Sequence, residues 1–324
     1  MKNITILVPE GAVLTSIADP QYMFTAANKF LIDSGKEAMF NVKLAGLKKD
    51  VQLNNGMYTI HTDNLIDEIV KTELIIIPAL SGYMKSAVDI NRKFIPWIID
   101  QYKNGSEVAS LCIGAFLLAA TGLMKGKQCS THWLYANEFR QMYPDVILAG
   151  DKVVTDQNGL YSSGGATSLW NLLLYLVEKY TGRDTAILAS KFFLLDIARS
   201  SQSPFIMFRG EKEHDDDAVK KAQEYIEQNY NDMLTVDRLS DLFGIGRRTF
   251  ERRFKKATNN TVVEYTQRVK IEAAKKELEQ GRKTVNEVMF DVGYTDTKAF
   301  RDVFRKITGM SPVDYRNRYN KEVI

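Results

Sequence analysis

A short segment occurs twice near the end of this chain. Phe250-Glu-Arg-Arg-Phe-Lys-Lys-Ala-Thr258 returns fifty residues later as Phe300-Arg-Asp-Val-Phe-Arg-Lys-Ile-Thr308. When the comparison is extended to Glu272 and Glu322, 8 of 23 positions are identical and no gap is needed. Self-similarity at a fixed offset is typical of one supersecondary unit used twice. The repeat therefore predicts two copies of one helical unit in the last third of the chain.

In each copy a glycine separates two helical patterns. Short amphipathic stretches, residues 236–243 and 285–292, are followed by Gly244 and Gly293 and then by the repeated segment. Two helices joined by a tight turn that contains glycine are typical of the helix-turn-helix, whose second helix enters the major groove of DNA. The phenylalanine pair of each second helix predicts its buried side. Each copy is therefore expected to present a mostly basic face to solvent.

These outer faces carry the side-chain types that read DNA. Arg donates two hydrogen bonds to guanine, Asp and Glu accept a hydrogen bond from cytosine, and Lys and Arg neutralise phosphates. One such face alone is more often an ordinary solvated helix surface, but two copies with the same turn and the same phenylalanine pair favour DNA binding. The predicted DNA-binding residues are Arg247, Arg248, Glu251, Arg252 and Lys255 in the first copy and Thr297, Lys298, Arg301, Asp302 and Arg305 in the second.

The charge of the chain is unevenly distributed. The net charge is +3, but the residues from Ala218 onward contain 22 Lys and Arg against 16 Asp and Glu. The last third is therefore basic and the preceding part is acidic. A basic domain suggests a polyanionic partner such as double-stranded DNA, although a solvated charged surface gives similar counts.

Composition disfavours several other classes of protein. The apolar runs are far shorter than the roughly 20 residues that a bilayer span needs, so no membrane partner is predicted. Two cysteines and three histidines offer neither a disulfide framework nor zinc-ligand spacing, so no metal and no cofactor is predicted. The first residues, Met1-Lys-Asn-Ile-Thr-Ile-Leu-Val8, lack the features of a secretory signal. We expect a cytoplasmic protein.

Strand and helix patterns alternate through the first part of the chain. Continuous apolar strands separated by helices indicate a mostly parallel, doubly wound α/β sheet. Polar, aperiodic sequence follows, and it predicts a linker. We therefore predict an N-terminal domain at 1–198, a linker at 199–217 and an all-α domain at 218–324. The predicted strands are 3–8, 40–45, 73–78 and 107–111, and the predicted helices are 21–32, 63–70, 84–103, 166–180 and 183–198.

One cysteine lies where a strand meets a helix. The order of strand, Cys112, Gly114 and helix has the form of a nucleophile elbow, a sharp turn that exposes a side chain above the sheet. A helix N-terminus is expected to lower the pKa of a thiol there. His132 is an imidazole that could pair with the thiol, and a Cys/His pair is the minimum for nucleophilic catalysis. Cys129 has no motif around it and is predicted to be a small buried residue.

The second copy of the repeat resembles the signature of AraC-type transcriptional regulators. It has the Gly293-Tyr turn, the Phe300-x-x-x-Phe304 helix and the ending Gly309-Met-Ser-Pro-Val-Asp-Tyr-Arg316. The resemblance covers residues 218–320. It implies two helix-turn-helix units, joined by a long helix over residues 262–280, that read successive major grooves on one side of the duplex. The first copy departs from the pattern, because Asn259-Asn-Thr-Val262 replaces Gly-x-Ser-Pro.

The first part of the chain resembles the PfpI-type class I glutamine-amidotransferase-like domain. The resemblance rests on the run that starts at Cys112-Ile-Gly-Ala-Phe, on Ser130-Thr-His-Trp133 and on Ser162-Ser-Gly-Gly165, and it covers residues 3–182. It is closest to the version fused to AraC-type domains in one family of bacterial regulators, and it implies a flavodoxin-like fold. In those regulators the domain senses a small molecule or dimerises. Enzymes with this domain use the elbow cysteine with an acidic partner.

The residues that activate the cysteine in those enzymes are replaced in this chain. Ser16 stands at the place of one acid, Ile113 replaces the usual hydroxyl residue after the cysteine, and Asn171 replaces an aspartate. Glu10 is the nearest substitute acid and could reach the elbow. The candidate site, an effector site or a vestigial elbow, therefore comprises Glu10, Cys112, Ile113 and His132. Three roles stay open for Cys112: a ligand or redox role, a structural role and catalysis. No catalytic residue is assigned. His132 is predicted to be a packed polar residue rather than a general base.

These features together predict a sequence-specific, DNA-binding transcriptional regulator that is not an enzyme. Its expected partners are promoter DNA, a small-molecule effector, a second copy of the chain and, for an activator, RNA polymerase. Two alternatives stay open. One is a cysteine hydrolase or glyoxalase-like enzyme that carries a DNA-binding tail, and the other is an inert dimerisation scaffold in front of the DNA-binding domain.

Overall fold

Apolar strands build the first of the two units into which this chain divides. The computed structural model describes residues 1–197 and 201–320, and its units are Met1–Gln202 and Ser203–Ile324. Residues 198–200 and 321–324 lie outside the described residues. They belong to the helix predicted at 183–198, the domain at 1–198, the linker at 199–217 and the domain at 218–324. The first unit is a mostly parallel sheet covered by helices and the second is helical, so the predicted fold class is confirmed. No helix among the described residues is both long enough and apolar enough to cross a bilayer.

The described residues of the first unit form eleven strands, and seven of these make up its main sheet. The strands are β1 Lys2–Leu7, β2 Phe40–Gly46, β3 Asp50–Leu53, β4 Tyr58–His61, β5 Asn64–Leu65, β6 Leu74–Ile77, β7 Glu107–Ser110, β8 Gln128–Cys129, β9 Ile147–Leu148, β10 Val154–Asp156 and β11 Leu160–Ser163. The main sheet has the order β10-β11-β7-β6-β1-β2-β5, and its neighbours are parallel except β10 and β11. The β3-β4 hairpin and the β8-β9 pair lie outside this sheet and were not predicted.

Helices cover both faces of the main sheet. They are α1 Thr15–Asp33, α2 Met84–Ile90, α3 Phe94–Lys103, α4 Ala115–Ala120, α5 Ala136–Met142, α6 Ser168–Thr181 and α7 Arg183–Phe192. One core contains Phe24 of α1 and Leu172 of α6, and the other contains Phe94 of α3 and Phe116 of α4. The central strand β6 is fully buried between them, which explains its continuous apolar sequence. This layering places Cys112 at the carboxyl end of β7, the edge where such sheets bind ligands.

Three predicted helices differ from the structure. The helix predicted at 183–198 is α7, which ends at Phe192, and residue 198 lies outside the described residues. Residues 84–103 form α2 and α3 rather than one helix, because buried Asn91 bonds the backbone of Glu10 instead of continuing the helix. Its Nδ2 donates to the Glu10 carbonyl at 2.8 Å, and its Oδ1 accepts from the Glu10 N–H at 2.9 Å. Residues 63–70 form β5 and a 3₁₀ turn, Ile66–Glu68, because Asn64–Leu65 pairs with the end of β2.

The second unit contains both helix-turn-helix copies. Its helices are α8 Asp217–Gln228, α9 Val236–Leu242, α10 Arg247–Thr258, α11 Val262–Gln280, α12 Val285–Asp291, α13 Thr297–Thr308 and α14 Pro312–Tyr319. The first copy is α9 and α10, the second is α12 and α13, and α11 joins them over the predicted residues. The turn glycines Gly244 and Gly293 have φ of +62° and +76°, a conformation that other residues adopt at a cost.

The repeated residues make equivalent contacts in the two copies. Phe250 and Phe254 of α10 and Phe300 and Phe304 of α13 are fully buried. The hydroxyls of the repeated threonines, which end α10 and α13, donate to the Phe254 and Phe304 carbonyls, both at 2.8 Å. The repeat therefore preserves a core and the end of a helix, and the solvent-facing positions between them are free to differ.

The changed turn of the first copy keeps the geometry of the second. Asn259 adopts a φ of +55° where Gly309 adopts +74°, and Asn is one of the few other residues that tolerate this left-handed conformation. Thr261 then caps α11 by accepting a hydrogen bond from the Glu264 N–H at 3.1 Å. Ser311 caps α14 in the same way. The departure from Gly-x-Ser-Pro is therefore structurally neutral.

Part of the predicted linker packs on α11. The Lys275 Nζ donates to the Ile206 carbonyl at 2.6 Å, and the Phe208 N–H donates to the Glu272 carboxylate at 3.1 Å. Lys275 also pairs with Glu272 at 2.8 Å. The composition of these residues predicts a linker, but their contacts anchor them to the second unit.

Candidate nucleic-acid interface and cysteine elbow

The recognition helix of the first copy has one buried and one exposed side. The phenylalanines of α10 face the core, and the predicted DNA-binding side chains of this helix lie on the exposed side. Those side chains are Arg247, Arg248, Glu251, Arg252 and Lys255. Arg and Lys outnumber the single carboxylate, so the face suits a polyanion.

Several cations of α10 have partners within the second unit. The Arg247 Nη1 lies 3.0 Å from both carboxylate oxygens of Asp237 on α9, and its Nε lies 3.7 Å from Glu251. The Lys255 Nζ donates to the Asn259 carbonyl at 3.1 Å. Within the described residues, Arg248 and Arg252 form no ion pair. The guanidinium groups of Arg248 and Arg252 are therefore available to an anionic partner without the loss of an ion pair.

The recognition helix of the second copy is less restrained. Lys298, Arg301, Asp302 and Arg305 are exposed, and Thr297 is half-buried at the start of α13. Among the residues that the structure describes, none of these charged side chains has an ion-pair partner. The helix begins after Asp296, whose carboxylate accepts from the Ala299 N–H at 2.6 Å. Its cations are therefore available to phosphates and bases.

Cys112 occupies a sharp turn between β7 and α4. Its φ is +53°, a left-handed conformation that is uncommon outside glycine and asparagine. The turn is held by two hydrogen bonds, from the Cys112 N–H to the Ser163 hydroxyl at 3.0 Å and from the Thr131 hydroxyl to the Cys112 carbonyl at 3.1 Å. A Cβ on Gly114 would lie 2.4 Å from the Pro78 carbonyl, so only glycine fits there. The chain has the elbow geometry.

The predicted activation of the thiol is wrong. Cys112 is 5% exposed, and burial raises the pKa of its thiol to about 11, while a hydrogen bond from the Ile113 N–H lowers it only in part. The helix that was expected to lower this pKa is a single 3₁₀ turn followed by the short α4, and Ile113 itself is buried. Cys129 is fully buried, and burial raises the pKa of its thiol to about 12. Both cysteines therefore remain thiols at neutral pH.

The other elbow candidates have separate partners. The Glu10 carboxylate forms an ion pair with Lys48 at 2.7 Å and is half exposed. The His132 Nδ1 accepts from the Leu134 N–H at 3.1 Å, and burial lowers the pKa of the imidazole. Within the described part of the chain, no hydrogen bond joins the side chains of Glu10, Cys112 and His132. The structure therefore does not connect them as an acid, nucleophile and base.

The substituted positions of the enzyme signature also have structural roles. The Ser16 hydroxyl donates to the Val13 carbonyl at 2.6 Å and accepts from the Ala79 N–H at 3.0 Å. The Asn171 Nδ2 donates to the Asp196 carbonyl at 2.9 Å. Each polar side chain therefore makes hydrogen bonds to backbone groups.

Sequence reasoning missed a buried glutamine beside the elbow loops. Gln202 is 1% exposed, and its Nε2 donates to the Thr131 carbonyl at 3.2 Å and the Gly150 carbonyl at 2.9 Å. Its Oε1 accepts from the Gly165 N–H at 2.9 Å. A glutamine among serines gives no sequence signal, because its role depends on carbonyls that are distant along the chain.

A surface cavity of about 420 Å³ lies elsewhere in the first unit. It contains apolar, aromatic and charged side chains, and its volume falls in the range of small-molecule sites. Its lining residues are Lys152, Val154, Asp156, Asn171, Leu174, Tyr175, Glu178 and Ile197. No group of three or more His, Cys, Asp or Glu among the described residues is arranged to hold a metal ion.

Comparison with known proteins gives matches to both units. The family model of the DJ-1/PfpI family matches residues 4–179, and a helix-turn-helix domain model matches residues 239–318. The HTH-type transcriptional regulator GbdR of Pseudomonas aeruginosa is 24% identical over 322 residues, which cover 97% of this chain and 84% of that protein. An AraC family transcriptional regulator from Pseudomonas putida shares the fold, with a TM-score of 0.50 and 16% identity over 60% of this chain and all of that chain.

An enzyme also shows similarity over a shorter region. The isonitrile hydratase of Pseudomonas putida is 35% identical over 92 residues, which cover 28% of this chain and 39% of the hydratase. The similarity to GbdR extends over nearly the whole chain, and both sequence resemblances are confirmed. The chain belongs to the DJ-1/PfpI family and, with its AraC-type helix-turn-helix region, is a DNA-binding transcriptional regulator.

Proposed function

We propose that this regulator reads promoter DNA with the exposed faces of α10 and α13. The observation that carries the proposal is the pair of helices, each with a fully buried phenylalanine pair and exposed cations on the opposite side. Arg252 and Arg301 lie near the middle of these faces. They are the best candidates for bidentate contacts to guanine. The flanking cations, among them Lys298 and Arg305, suit phosphate contacts.

The test of this interface uses binding sites selected from random DNA. Arg301→Ala is expected to weaken the selected site and relax the base preference at one position, whereas Lys221→Ala, which removes an exposed lysine of α8, should change neither. Affinity should also fall steeply with salt, by about 0.9 log unit per log unit of salt for each phosphate contact. The proposed interface would be contradicted if no DNA sequence were enriched in the selection, or if the affinity did not depend on the salt concentration.

We further propose that the first unit regulates rather than catalyses. Three features argue against a nucleophilic cysteine. Cys112 is buried in its turn, burial raises the pKa of its thiol, and the Glu10 carboxylate forms an ion pair with Lys48. Cys112 then has a structural role in a tight turn. The test compares wild type with Cys112→Ser in assays of glyoxal, amide and isonitrile turnover. Turnover that disappears in the variant would favour the enzyme alternative.

A small-molecule effector is proposed to bind the first unit outside the closed elbow. The cavity of about 420 Å³ has the size and the mixture of apolar and polar lining that such ligands need. Thermal unfolding with a panel of small metabolites tests this idea. A metabolite that raises the midpoint in wild type but not in Tyr175→Ala would support it, and metabolites that act equally on both would not.

The first unit is also proposed to pair with a second copy. Tyr22 and Ile32 on α1 and Leu188 and Phe192 on α7 are large apolar side chains between 44% and 57% exposed. Helices α1 and α7 pack against each other, and Tyr22 contacts Phe192 with ring centroids 6.2 Å apart. Apolar patches of this kind mark protein interfaces. Sedimentation should give a dimer for wild type and a monomer for Leu188→Glu, with exposed Val70→Glu as the control.

We expect this regulator to work in the cytoplasm and, as an activator, to contact RNA polymerase.

A further inference from the structure

Helix α11 takes part in two separate hydrophobic cores. Its first half contributes Val262 and Tyr265 to the core around α10. Its second half contributes Ile271, Ala274 and Leu278 to the core around α13. The two cores are distinct, and α11 contributes to both of them.

One buried lysine lies on α11 between these cores. Lys270 is 8% exposed, and its Nζ lies 3.2 Å from the Gly293 carbonyl and 3.4 Å from the Asp232 carbonyl. Gly293 belongs to the turn of the second copy, whereas Asp232 precedes α9 of the first copy. The ammonium also lies 5.4 Å from the ring centroid of Tyr294. A single cation therefore joins both copies through hydrogen bonds and a cation–π contact.

The two copies also touch through their backbones at this point. A Cβ added to Gly293 would lie 2.1 Å from the Asn231 carbonyl oxygen and 2.8 Å from the Lys270 Nζ. Only glycine permits that approach, and its φ of +76° is also unfavourable for other residues. Tyr230, from the same loop of the first copy, packs against the core of the second copy. Lys270 thus sits in a tight junction that contains residues of both copies.

A buried ammonium is costly unless its donors are satisfied. Within the described residues Lys270 has no carboxylate at ion-pair distance, so backbone carbonyls, an aromatic ring and the more distant Asp232 carboxylate compensate its charge. These carbonyls are available together only while the turn at Gly293 and the loop at Asp232 stay adjacent. If the copies move apart, Lys270 gives up at least one of these hydrogen bonds. The junction therefore favours one relative orientation of the copies.

We propose that Lys270 is a positioning residue that holds the two helix-turn-helix copies in one orientation and so sets the spacing between the two groove sites in the operator. The proposal rests on the proposed reading of DNA by both α10 and α13. Inserting one base pair between the groove sites turns one site relative to the other by about 35° and shifts it along the axis, so a rigid pair of helices cannot follow.

The experiment compares wild type with Lys270→Met, which keeps an unbranched apolar stem and removes the ammonium. Lys276→Met, an exposed lysine of the same helix, is the matched control. Binding is measured on the selected operator and on operators with one base pair inserted or removed between the groove sites. On the altered operators, wild type and the control should bind about tenfold more weakly, as expected when one bidentate pairing with a base is broken. Lys270→Met should bind the selected operator more weakly and discriminate less between spacings.

A second measurement does not depend on DNA. Spin labels on cysteines introduced at Lys256 and Lys306, equivalent exposed positions of α10 and α13, report the distance between the recognition helices. Wild type should give one narrow distribution and Lys270→Met a broader one. The proposal is overturned if Lys270→Met changes neither the distance distribution nor the discrimination between operator spacings. It is also overturned if the variant loses its helical circular dichroism, because Lys270 would then contribute to stability alone. If alanine at Arg252 or Arg301 leaves binding intact, the proposed DNA reading fails, while the label distances still test the junction.

Discussion

Arg253 on α10 donates two hydrogen bonds to Asp216, from Nε at 2.8 Å and from Nη2 at 2.6 Å. Asp216 in turn caps α8 by accepting from the Val219 N–H at 3.2 Å. The guanidinium beside it and this backbone hydrogen bond hold the pKa of the Asp216 carboxyl below its ordinary value of 3.8. Arg253 is thus engaged by another residue of the second unit, whereas its neighbour Arg252 is exposed to solvent.

This difference gives the first prediction. Asp216→Ala should lower the free energy of unfolding of the second unit by about 1 kcal/mol, the usual cost of removing an N-cap. Because the pKa of Asp216 is depressed in the folded state, its contribution is present above the unfolded value near 3.8 and is lost as pH falls through the folded value. Denaturant titrations of wild type and variant at several pH values measure this. A difference that persists unchanged in strong acid would contradict it.

The second prediction separates the two recognition helices. Arg252→Ala and Arg301→Ala should each relax base preference in a different groove, by about 1 to 3 kcal/mol for each bidentate pairing with a base that is removed. Arg253→Ala should leave the base preference unchanged, because its guanidinium is engaged by Asp216. Sequencing of sites selected by each variant provides the measurement. If Arg252 and Arg301 variants weaken all sequences equally, these arginines contact phosphates instead.

Sequence periodicity was sufficient to predict the elements that rest on local pattern. The apolar strand β6 follows from its continuous apolar residues, whereas the long helix α11 was implied by the resemblance to AraC-type regulators. The repeat located both recognition helices, because its identities are buried phenylalanines and helix-ending threonines that pack in the same way twice.

Features that depend on distant partners were not predictable. Asn91 interrupts a helical pattern because its amide bonds Glu10, which lies 81 positions away. Some acids that engage the cations of α10 lie outside that helix, as Asp237 does for Arg247. Burial of Cys112 depends on the packing of the whole unit, so a local argument from a helix N-terminus gave the wrong direction for its pKa.

The third prediction concerns the reactivity of that thiol. Because burial raises the pKa of Cys112 to about 11, alkylation by iodoacetamide in the folded protein should be slow at neutral pH and should accelerate only as pH rises toward that value. Mass spectrometry of the Cys112 peptide follows the modification, and the same peptide in denaturant provides the rate of an exposed thiol. Rapid modification of the folded protein at pH 7 would indicate a thiolate and reopen the catalytic alternative.

The fourth prediction concerns Glu107, which begins β7. Burial raises the pKa of its carboxyl, but hydrogen bonds from Lys179, Tyr161 and Tyr180 outweigh this and hold the pKa at about 2. Its folded-state pKa is depressed, so its contribution to stability is complete above the ordinary value of 4.5 and is lost as pH falls toward 2. Glu107→Gln should therefore destabilise the first unit at pH 7 by about 2 kcal/mol, after allowance for solvent screening.

The control for Glu107→Gln is a neighbouring acid that is partly exposed. Glu73→Gln removes a carboxylate from the start of the adjacent strand, where the Glu73 carboxylate accepts a hydrogen bond from the Asn3 N–H at 2.7 Å near the surface. Its effect at pH 7 should be smaller, because exposed pairs contribute little. Urea unfolding of both variants between pH 7 and pH 3 measures the difference. The gap between wild type and Glu107→Gln should narrow as pH falls through this range, since protonation removes in wild type what the substitution removes permanently. A gap that widens in acid would mean that the Glu107 carboxyl is protonated in the folded protein and donates a hydrogen bond to a tyrosine hydroxyl instead of accepting one.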